Sequence, residues 1–265
     1  DPLEADPRRR GRAMSLSQIA EELRVSDPDR FGASLLVPQP ARDRLWTLYA
    51  LNHDLARAPL QSNEPLIAMM RLRWWIDQLE AIGGGALPEN EPLASLTEVW
   101  GRDAAALADL AEARMRDCER EPFGTADEVQ DYIHATSGAL MRHAVRTLGV
   151  PAEADQAAQD QALGCGLARW LAALPQLDPL RLGLAQPDPA LISELARRGL
   201  AALDRAKAAR PHVPRAAAPA MFQGIGYVAA LRAMADEGRP VAITASEFKR
   251  RFALGRLALT GRWWE

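Results

Sequence analysis

The sequence predicts an all-α protein with a single domain. Ala, Leu, Arg and Glu dominate the composition, while β-branched and aromatic residues are sparse, and this balance favours helices almost throughout. Glycine and proline occur where apolar residues stop recurring at helical spacing, and no internal repeat divides the chain. Its 265 residues are enough to bury one large core.

Caps and prolines predict where the helices begin and end. Ser15-x-x-Gln18 is a capping-box opening for a short first helix. Pro175 is expected to stop the helix over 153–174, and Thr244-x-x-Glu247 to open the last one. The other helices are expected from Pro40 to about Arg57, from Pro65 to Gly83, twice within Leu93–Asp117, from Thr125 to Leu148, and over 189–209 and 218–237.

Composition excludes several classes of protein. A hydrophobic content of 48% and a charged content of 25% are those of an ordinary globular protein. The net charge of −3 gives no reason to expect nucleic-acid binding. Cys118 and Cys165 are far apart, which argues against a disulfide framework or zinc site and favours a reducing compartment. No apolar run is long enough to span a bilayer.

The polar residues 1–13 are expected to be a floppy leader or cloning scar outside the fold.

Two carboxylates have the spacing of a helical metal motif. Asp127 and Asp131 are four residues apart and so share one helix face. They lie within six residues after Thr125, in the first turns of the predicted helix, where acidic side chains favour the positive end of the helix dipole. We interpret them as capping and solvated charges. His53 and Asp54 are adjacent and therefore point to different sides of a helix, so we expect them at the surface or rim.

Several local patterns occur along the chain in one order. They are Leu45-Trp-Thr-Leu-Tyr49-Ala-Leu-Asn52, Met70-Arg71-Leu-Arg-Trp74-Trp75, Phe123-x-Thr125 with Tyr132 and Gly138, Leu163-Gly164 with Gly166-Leu167-Ala168, and Pro219-Ala-Met-Phe222. From about residue 28 to the C-terminus, this order and spacing resemble the squalene/phytoene synthase family of head-to-head prenyl synthases. The resemblance implies a helical bundle of the isoprenoid synthase type.

The catalytic members that the chain resembles have two aspartate-rich motifs facing each other across a cavity. These carboxylates hold the Mg²⁺ ions that the departure of a diphosphate needs. Carried onto this chain, the acidic positions of the first motif fall on Ala56, Arg57 and then Leu60 or Gln61. The second motif falls on 166–175, where no Asp occurs. The resemblance therefore implies a member without catalytic residues, metal ligands or a cofactor.

The replacement patterns resemble one branch of the family. They are Asn52-His53-Asp54-Leu55-Ala56-Arg57, Arg71-x-x-Trp74-Trp75 and Arg169-Trp-Leu-Ala-Ala-Leu-Pro175. They resemble a divergent, non-catalytic branch whose mitochondrial members are assembly factors for respiratory complex I. This resemblance implies a protein partner, either a complex subunit or another assembly factor. It also implies a cytoplasmic or matrix-side location, peripheral to the inner membrane.

We expect a vestige of the substrate cavity. Asn52 shares an apolar stripe with Tyr49 and Ala56, so it faces inward as either a satisfied core amide or a polar group of that cavity. Trp74 and its neighbour Trp75 are also open to interpretation as core or interface residues. The predicted cavity lining is Tyr49, Asn52, Ala56, Arg71, Trp74, Tyr132, Arg142 and Trp170.

The C-terminal segment combines basic and aromatic residues. Its candidate membrane or partner surface consists of Lys249, Arg250, Arg251, Arg256, Trp263 and Trp264. Basic amphipathic helices that end in Trp suit an anionic membrane surface or an acidic partner. The other interpretation is an ordinary last helix that packs on the domain with its charges solvated. The interruption at Gly255 favours that second interpretation.

Three functions follow from these patterns. The first is a catalytically silent, protein-binding assembly factor of the complex I type. The second is a prenyl transferase that condenses prenyl diphosphates with unusual metal ligands. The third is a carrier that binds an isoprenoid or lipid without metal. Mg²⁺-dependent binding of a prenyl diphosphate distinguishes the second function from the other two.

Overall fold

Helices make up the fold of this protein. The computed structural model describes residues 15–88, 93–150, 154–186 and 188–265. In those ranges it contains no β-sheet, only one isolated bridge between Phe123 and Leu184. The expected leader of residues 1–13 lies outside the described residues. The predicted all-α fold class is confirmed.

Fourteen α-helices occur in the described residues. They are α1 Leu16–Ser26, α2 Pro28–Ser34, α3 Ala41–Arg57, α4 Pro65–Gly83, α5 Leu93–Trp100, α6 Ala108–Glu112, α7 Met115–Glu119, α8 Ala126–Ile133, α9 Ala139–Thr147, α10 Asp155–Leu177, α11 Pro189–Ala208, α12 Ala218–Met221, α13 Tyr227–Glu237 and α14 Glu247–Thr260. Short 3₁₀ segments cover Ala58–Gln61, Gly101–Leu107, Asp178–Leu180, Arg210–His212 and Arg215–Ala217, and a π-helical segment covers His134–Gly138. None of the described helices is both long and apolar enough to cross a bilayer.

The predicted capping signals set several helix starts. The Ser15 hydroxyl accepts a hydrogen bond from the Gln18 backbone N–H at 3.3 Å, and the Gln18 side chain accepts one from the Ser15 N–H at 2.9 Å. The capping box predicted for α1 is therefore confirmed. The Thr125 hydroxyl accepts from the Glu128 N–H at 3.2 Å and opens α8 in the same way. Pro65 occupies the first turn of α4, where its missing N–H costs nothing.

Three predicted helices are divided in the structure. The run expected from Thr125 to Leu148 is α8, the π-helical segment His134–Gly138 and α9 in continuous succession. The region Leu93–Asp117 holds shorter pieces than the two helices expected. The helix predicted over 218–237 is broken between α12 and α13, because Gly224 and Gly226 adopt φ angles of 99° and 100°. Such left-handed backbone favours glycine and cannot continue a right-handed helix.

Two predicted helix ends are wrong. Pro175 does not stop α10, which continues to Leu177. Because Pro175 lies in the last turn, it removes one backbone hydrogen bond there without breaking a long helix beyond it. The last helix opens at Ser246, whose hydroxyl accepts from the Lys249 N–H at 3.3 Å, and not at Thr244.

The buried apolar side chains form two clusters. The first is built around α3, α4 and α9 and includes Leu48 and Leu72. The second is built around α8, α11 and α13 and includes Leu195 and Leu231. Helix α10 contributes to both clusters, its first half to one and its second half to the other. It packs closely on α11, since a Cβ added at Gly164 would lie 2.4 Å from Cγ of Leu203.

Both cysteines are expected to be unreactive in the folded protein. Burial raises the pKa of the Cys165 thiol to about 12 and that of Cys118 to about 11, so neither forms appreciable thiolate at pH 8. Titration with a chromogenic disulfide reagent at pH 8 should find no fast thiol in the native protein and two after unfolding in guanidinium. One fast native equivalent would contradict the burial of these side chains.

Candidate functional site

A cavity of about 410 Å³ lies where the two apolar clusters meet. Helix α3 presents Asn52 and Ala56 to it, and α10 presents Gly166 and Trp170. The members of each pair are four residues apart, so they occupy one face of their helix. The cavity is therefore bounded on two sides by helix faces whose side chains are small, amide or aromatic.

The π-helical segment forms a third wall. Thr136 and Ser137 of His134–Gly138 line the cavity. A Cβ added at Gly166 would lie 2.5 Å from Cγ2 of Ile133 and 3.0 Å from Oγ of Ser137. Glycine at 166 therefore permits the close approach of α10 to this wall. Widened helical turns of this type are frequent at functional sites.

Two carboxylates line the cavity, and each is paired. Oδ2 of Asp117 lies 3.4 Å from Nη1 of Arg114 and accepts a hydrogen bond from the Tyr132 hydroxyl at 3.0 Å. Burial raises the pKa of Asp117, against the opposing effect of the Arg114 charge. Oδ2 of Asp27 lies 3.2 Å from Nη1 of Arg30. Both carboxylates are thus committed to guanidinium partners.

A buried amide joins two of the cavity arginines. Oε1 of Gln223 accepts hydrogen bonds from Nη2 of Arg30 at 2.6 Å and from Nη1 of Arg169 at 2.9 Å. Arg169 also donates to the backbone oxygen of Gln223 at 3.0 Å. The Arg169 guanidinium lies 5.3 Å from the ring centre of Tyr227, and that of Arg30 lies 5.1 Å from the ring centre of Tyr49. These contacts fix two positive charges at one wall of the cavity.

The family model for squalene/phytoene synthase matches residues 23–183, more than half of the chain. The chain belongs to the squalene/phytoene synthase family. The resemblance read from the sequence is confirmed, and the region of the match includes every cavity wall described above.

Curated relatives match the divergent branch of that family. "NADH dehydrogenase (ubiquinone) complex I, assembly factor 6" of Homo sapiens is 26% identical over 166 residues. The proteins of the same name from Bos taurus and Mus musculus are 25% and 26% identical over the same length. Each match covers 58% of this chain and 48% of the relative. The chain therefore spans about half the length of the curated relatives it matches.

Solved structures of family enzymes share the fold. A dehydrosqualene synthase crystallised with a ligand superimposes with a TM-score of 0.67 at 14% identity, covering 91% of this chain and 94% of that chain. The squalene synthase HpnC from Alicyclobacillus acidocaldarius gives a TM-score of 0.66 at 16% identity, covering 85% and 95%. At such low identity the likeness shows the fold alone. The predicted isoprenoid synthase fold type is confirmed.

The cavity residues do not fit a magnesium–diphosphate site. Such a site needs several carboxylate oxygens that converge on the ions. Ala56 and Gly166 offer no donor atom, and Arg169 offers a positive charge. In the part of the chain that the structure describes, no three His, Cys, Asp or Glu side chains are grouped so that they could hold a metal ion. Asp27 and Asp117 are already bound to arginines.

Only half of the eight residues predicted to line the cavity lie in its wall. Asn52, Ala56, Tyr132 and Trp170 line it. Tyr49 is buried behind it, beneath the Arg30 guanidinium. Arg142 points elsewhere, because its Nη2 lies 3.5 Å from Oδ2 of Asp109. Arg71 and Trp74 line a separate groove.

That groove, of about 600 Å³, lies between α4 and the 3₁₀ segment Ala58–Gln61. Nη1 of Arg71 donates to Oε1 of Gln61 at 2.5 Å and holds one side of it. Three of its lining residues are large, exposed apolar side chains, Ile67, Met70 and Trp74, with Met70 63% exposed, and Leu66 on the first turn of α4 is also exposed. We call these four residues the α4 patch. Contiguous exposed apolar side chains of this kind commonly mark interaction surfaces.

The residues of the predicted C-terminal surface have different environments. Trp263 is buried, and Arg250 is paired with Asp29 at 2.8 Å. Nη2 of Arg256 donates to the Trp264 carbonyl at 3.4 Å. Lys249 is exposed, and exposed Arg251 is paired with Glu247 at 2.9 Å. The large exposed apolar side chains of α14 are Phe248, Phe252 and Leu259.

Sequence reasoning missed the charged residues of the cavity. Arg30, Arg114 and Arg169 line it together with Asp27 and Asp117. The local signal was Asp27-Pro28, a helix-opening pattern in which Asp27 accepts from the Arg30 N–H at 3.1 Å. That signal locates α2. It does not predict that Arg30 contacts Gln223, which lies 193 positions further along the chain.

Alanine substitutions at Gly166, in the cavity wall, and at Gly255, in the exposed last helix, should change the free energy of unfolding in opposite directions. Gly166→Ala should lower the free energy of unfolding by about 1–3 kcal/mol, because the added Cβ meets Ile133 and Ser137. Gly255→Ala should raise it by about 0.5–1 kcal/mol, since Gly255 lies inside α14 with open space around it. Urea unfolding of both variants and the parent checks these signs. Equal stability of Gly166→Ala and the parent would contradict the close approach.

Proposed function

We propose that this chain is a non-catalytic member of its family that binds a protein partner during the assembly of respiratory complex I. The observation that carries the proposal is the composition of the cavity walls. Ala56 and Gly166 present no ligand atom there, and Arg169 presents a positive charge. A magnesium–diphosphate complex would need carboxylates at such positions.

The relatives support the assembly role. The curated proteins that the chain matches are named as complex I assembly factors in four mammals, at 25–26% identity. The solved enzymes that share the fold are 14% and 16% identical to it. Because one fold hosts many functions, shared fold cannot choose between the assembly factors and the enzymes, and the residues of the cavity must be compared instead. The cavity lacks free carboxylates for a metal ion among the described residues, and this favours the assembly factors.

The α4 patch is the proposed partner surface. Met70 and Trp74 are four residues apart on α4 and expose 63% and 41% of their surfaces. Tryptophan and methionine are enriched in protein interfaces, and tryptophan and arginine are enriched among the residues that contribute most to binding. Arg71 lies beside them in the groove. The proposed occupant is an apolar segment of a protein engaged in complex I assembly.

The proposed location is peripheral to the inner membrane, on its cytoplasmic or matrix side. The exposed face of α14 supports this proposal. Phe248 and Phe252 stack with ring centres 6.5 Å apart, and Lys249 and Arg251 flank them on the exposed surface. Aromatic side chains beside basic ones suit an anionic lipid surface.

A second candidate function is metal-independent binding of an isoprenoid or lipid. The volume of the cavity, about 410 Å³, favours this candidate, because it lies within the range of roughly 300–1,000 Å³ that small-molecule sites occupy. The two functions are compatible, since the cavity and the α4 patch are separate.

Magnesium should not strengthen the binding of a prenyl diphosphate. We expect calorimetric titration with a non-hydrolysable farnesyl diphosphate analogue to give the same affinity in Mg²⁺ and in EDTA, because the two cavity carboxylates are engaged by arginines. Incubation with farnesyl diphosphate and Mg²⁺ should release no diphosphate. Affinity that rises tenfold or more with Mg²⁺, together with diphosphate release, would establish the prenyl transferase alternative instead.

A charge placed on the α4 patch should abolish partner binding. Met70→Glu is expected to fold normally, because Met70 is exposed, and to reduce co-purification of its partner at least tenfold by burying a carboxylate in an apolar contact. The measurement is affinity capture of the tagged chain from its own host's membranes, with restoration of assembled complex I in a deletion strain as the readout.

Val25→Glu is the matched control for Met70→Glu. Val25 is 71% exposed on α1, outside the α4 patch, so this variant adds the same charge at another exposed apolar position. It should retain partner capture and restore complex I. Restoration by both variants would show that the α4 patch is not the partner surface. No loss of complex I in the deletion strain would refute the assembly role itself.

A further inference from the structure

The wall of the cavity carries more positive charge than its carboxylates balance. Arg30, Arg114 and Arg169 line it against only Asp27 and Asp117. Asp27 pairs with Arg30 and Asp117 with Arg114. Among the described residues, no carboxylate lies within ion-pair distance of Arg169. An arginine is charged at any accessible pH, so this excess does not titrate away.

Arg30 and Arg169 meet at one neutral acceptor. Both donate to Oε1 of Gln223, at 2.6 and 2.9 Å, so their guanidinium groups lie within a few ångströms of each other. Two like charges at that separation repel, and a neutral amide oxygen compensates only part of the repulsion. The Nε of Arg30 is buried and has no hydrogen-bond acceptor in the described chain. A buried donor without a partner costs free energy.

Apolar side chains form another part of the cavity wall, beside the polar Asn52, Thr136 and Ser137. Its walls include Ile133, Leu140, Trp170, Leu177 and Leu182. These side chains can cover a hydrocarbon chain. The cavity therefore combines a cationic region with an apolar one in a volume of about 410 Å³, which suits one chain better than a lipid with two.

We propose that the cavity binds a single-chain amphiphile whose phosphate or carboxylate headgroup is held, without metal, by Arg30 and Arg169. Planar guanidinium groups bind two oxygens of such an anion at once, and charge-assisted hydrogen bonds of this kind are among the strongest in proteins. The anion would neutralise the paired arginines, and the apolar wall would cover the chain. This inference deepens the second candidate function and does not depend on the assembly role.

The test is calorimetric titration of the full chain with decyl phosphate, decanoate and decanol in EDTA, below their micelle concentrations. At least one of the two anions should bind ten times more tightly than decanol. The tighter of the two identifies the headgroup class. Arg169→Gln and Arg30→Gln should each weaken anion binding about tenfold or more, since each removes a charge-assisted contact. Decanol affinity should not change.

Two controls separate lost binding from lost structure. Arg142→Gln removes an arginine that pairs with Asp109 outside the cavity and should leave anion binding intact. Ala173→Leu leaves the arginines in place but fills part of the cavity, so it should weaken decyl phosphate or decanoate binding, whereas Ala201→Leu on the exposed face of α11 should not. Thermal unfolding of each variant confirms that it is folded at the titration temperature.

Some outcomes would overturn the inference. They are equal affinity for decanol and both anions, no measurable binding of either anion, or unchanged anion binding in folded Arg30→Gln and Arg169→Gln variants. Affinity that appears only with Mg²⁺ would also overturn it, because the proposed headgroup contacts involve no metal. None of these results bears on partner capture through the α4 patch, so the two proposals fail independently.

Discussion

The buried amide of Gln223 is the contact on which the arrangement of this cavity depends. Its side-chain oxygen accepts from α2 through Arg30 and from α10 through Arg169, and its backbone oxygen accepts from the Tyr227 hydroxyl at 2.5 Å. Three separate parts of the chain are thereby fixed at one point. The left-handed glycines that follow Gln223 break the helix there, which leaves this backbone oxygen free to accept. The helix break thus supplies the backbone acceptor that Arg169 and the Tyr227 hydroxyl share.

Local signals predicted the helices well because they act within a few residues. The capping box at Ser15 and the proline at the start of α4 are recognisable from residues three or four positions apart. The π-helical segment His134–Gly138 has no such signal, since the residues in it also suit an ordinary helix. Its widened turn lies against α10 at Gly166. The long-range contact is visible only in the folded chain, and so is the break at Gly224.

The candidate site could be predicted only where it lies on a helix face. Asn52 and Ala56 follow from the apolar stripe of α3, because spacing alone puts them on the inner side. Arg71 and Trp74 also recur at helical spacing, yet they face the groove beside α4, since an exposed apolar surface has the same period as a buried one. Sequence spacing gives the angle between side chains around a helix. It does not tell which angle faces the core.

The charges of the cavity oppose the creation of a magnesium site by a single substitution. An aspartate introduced at Ala56 would enter a cavity that already holds Arg30 and Arg169, only one of which has a carboxylate partner. A carboxylate and a nearby guanidinium neutralise each other through charge-assisted hydrogen bonds, so the new side chain would be drawn to arginine before it could share a magnesium ion. Replacement of the arginines would in turn remove the donors that Gln223 accepts from α2 and α10. The two arginines therefore supply charge to this wall and also donate to the amide that links α2 and α10.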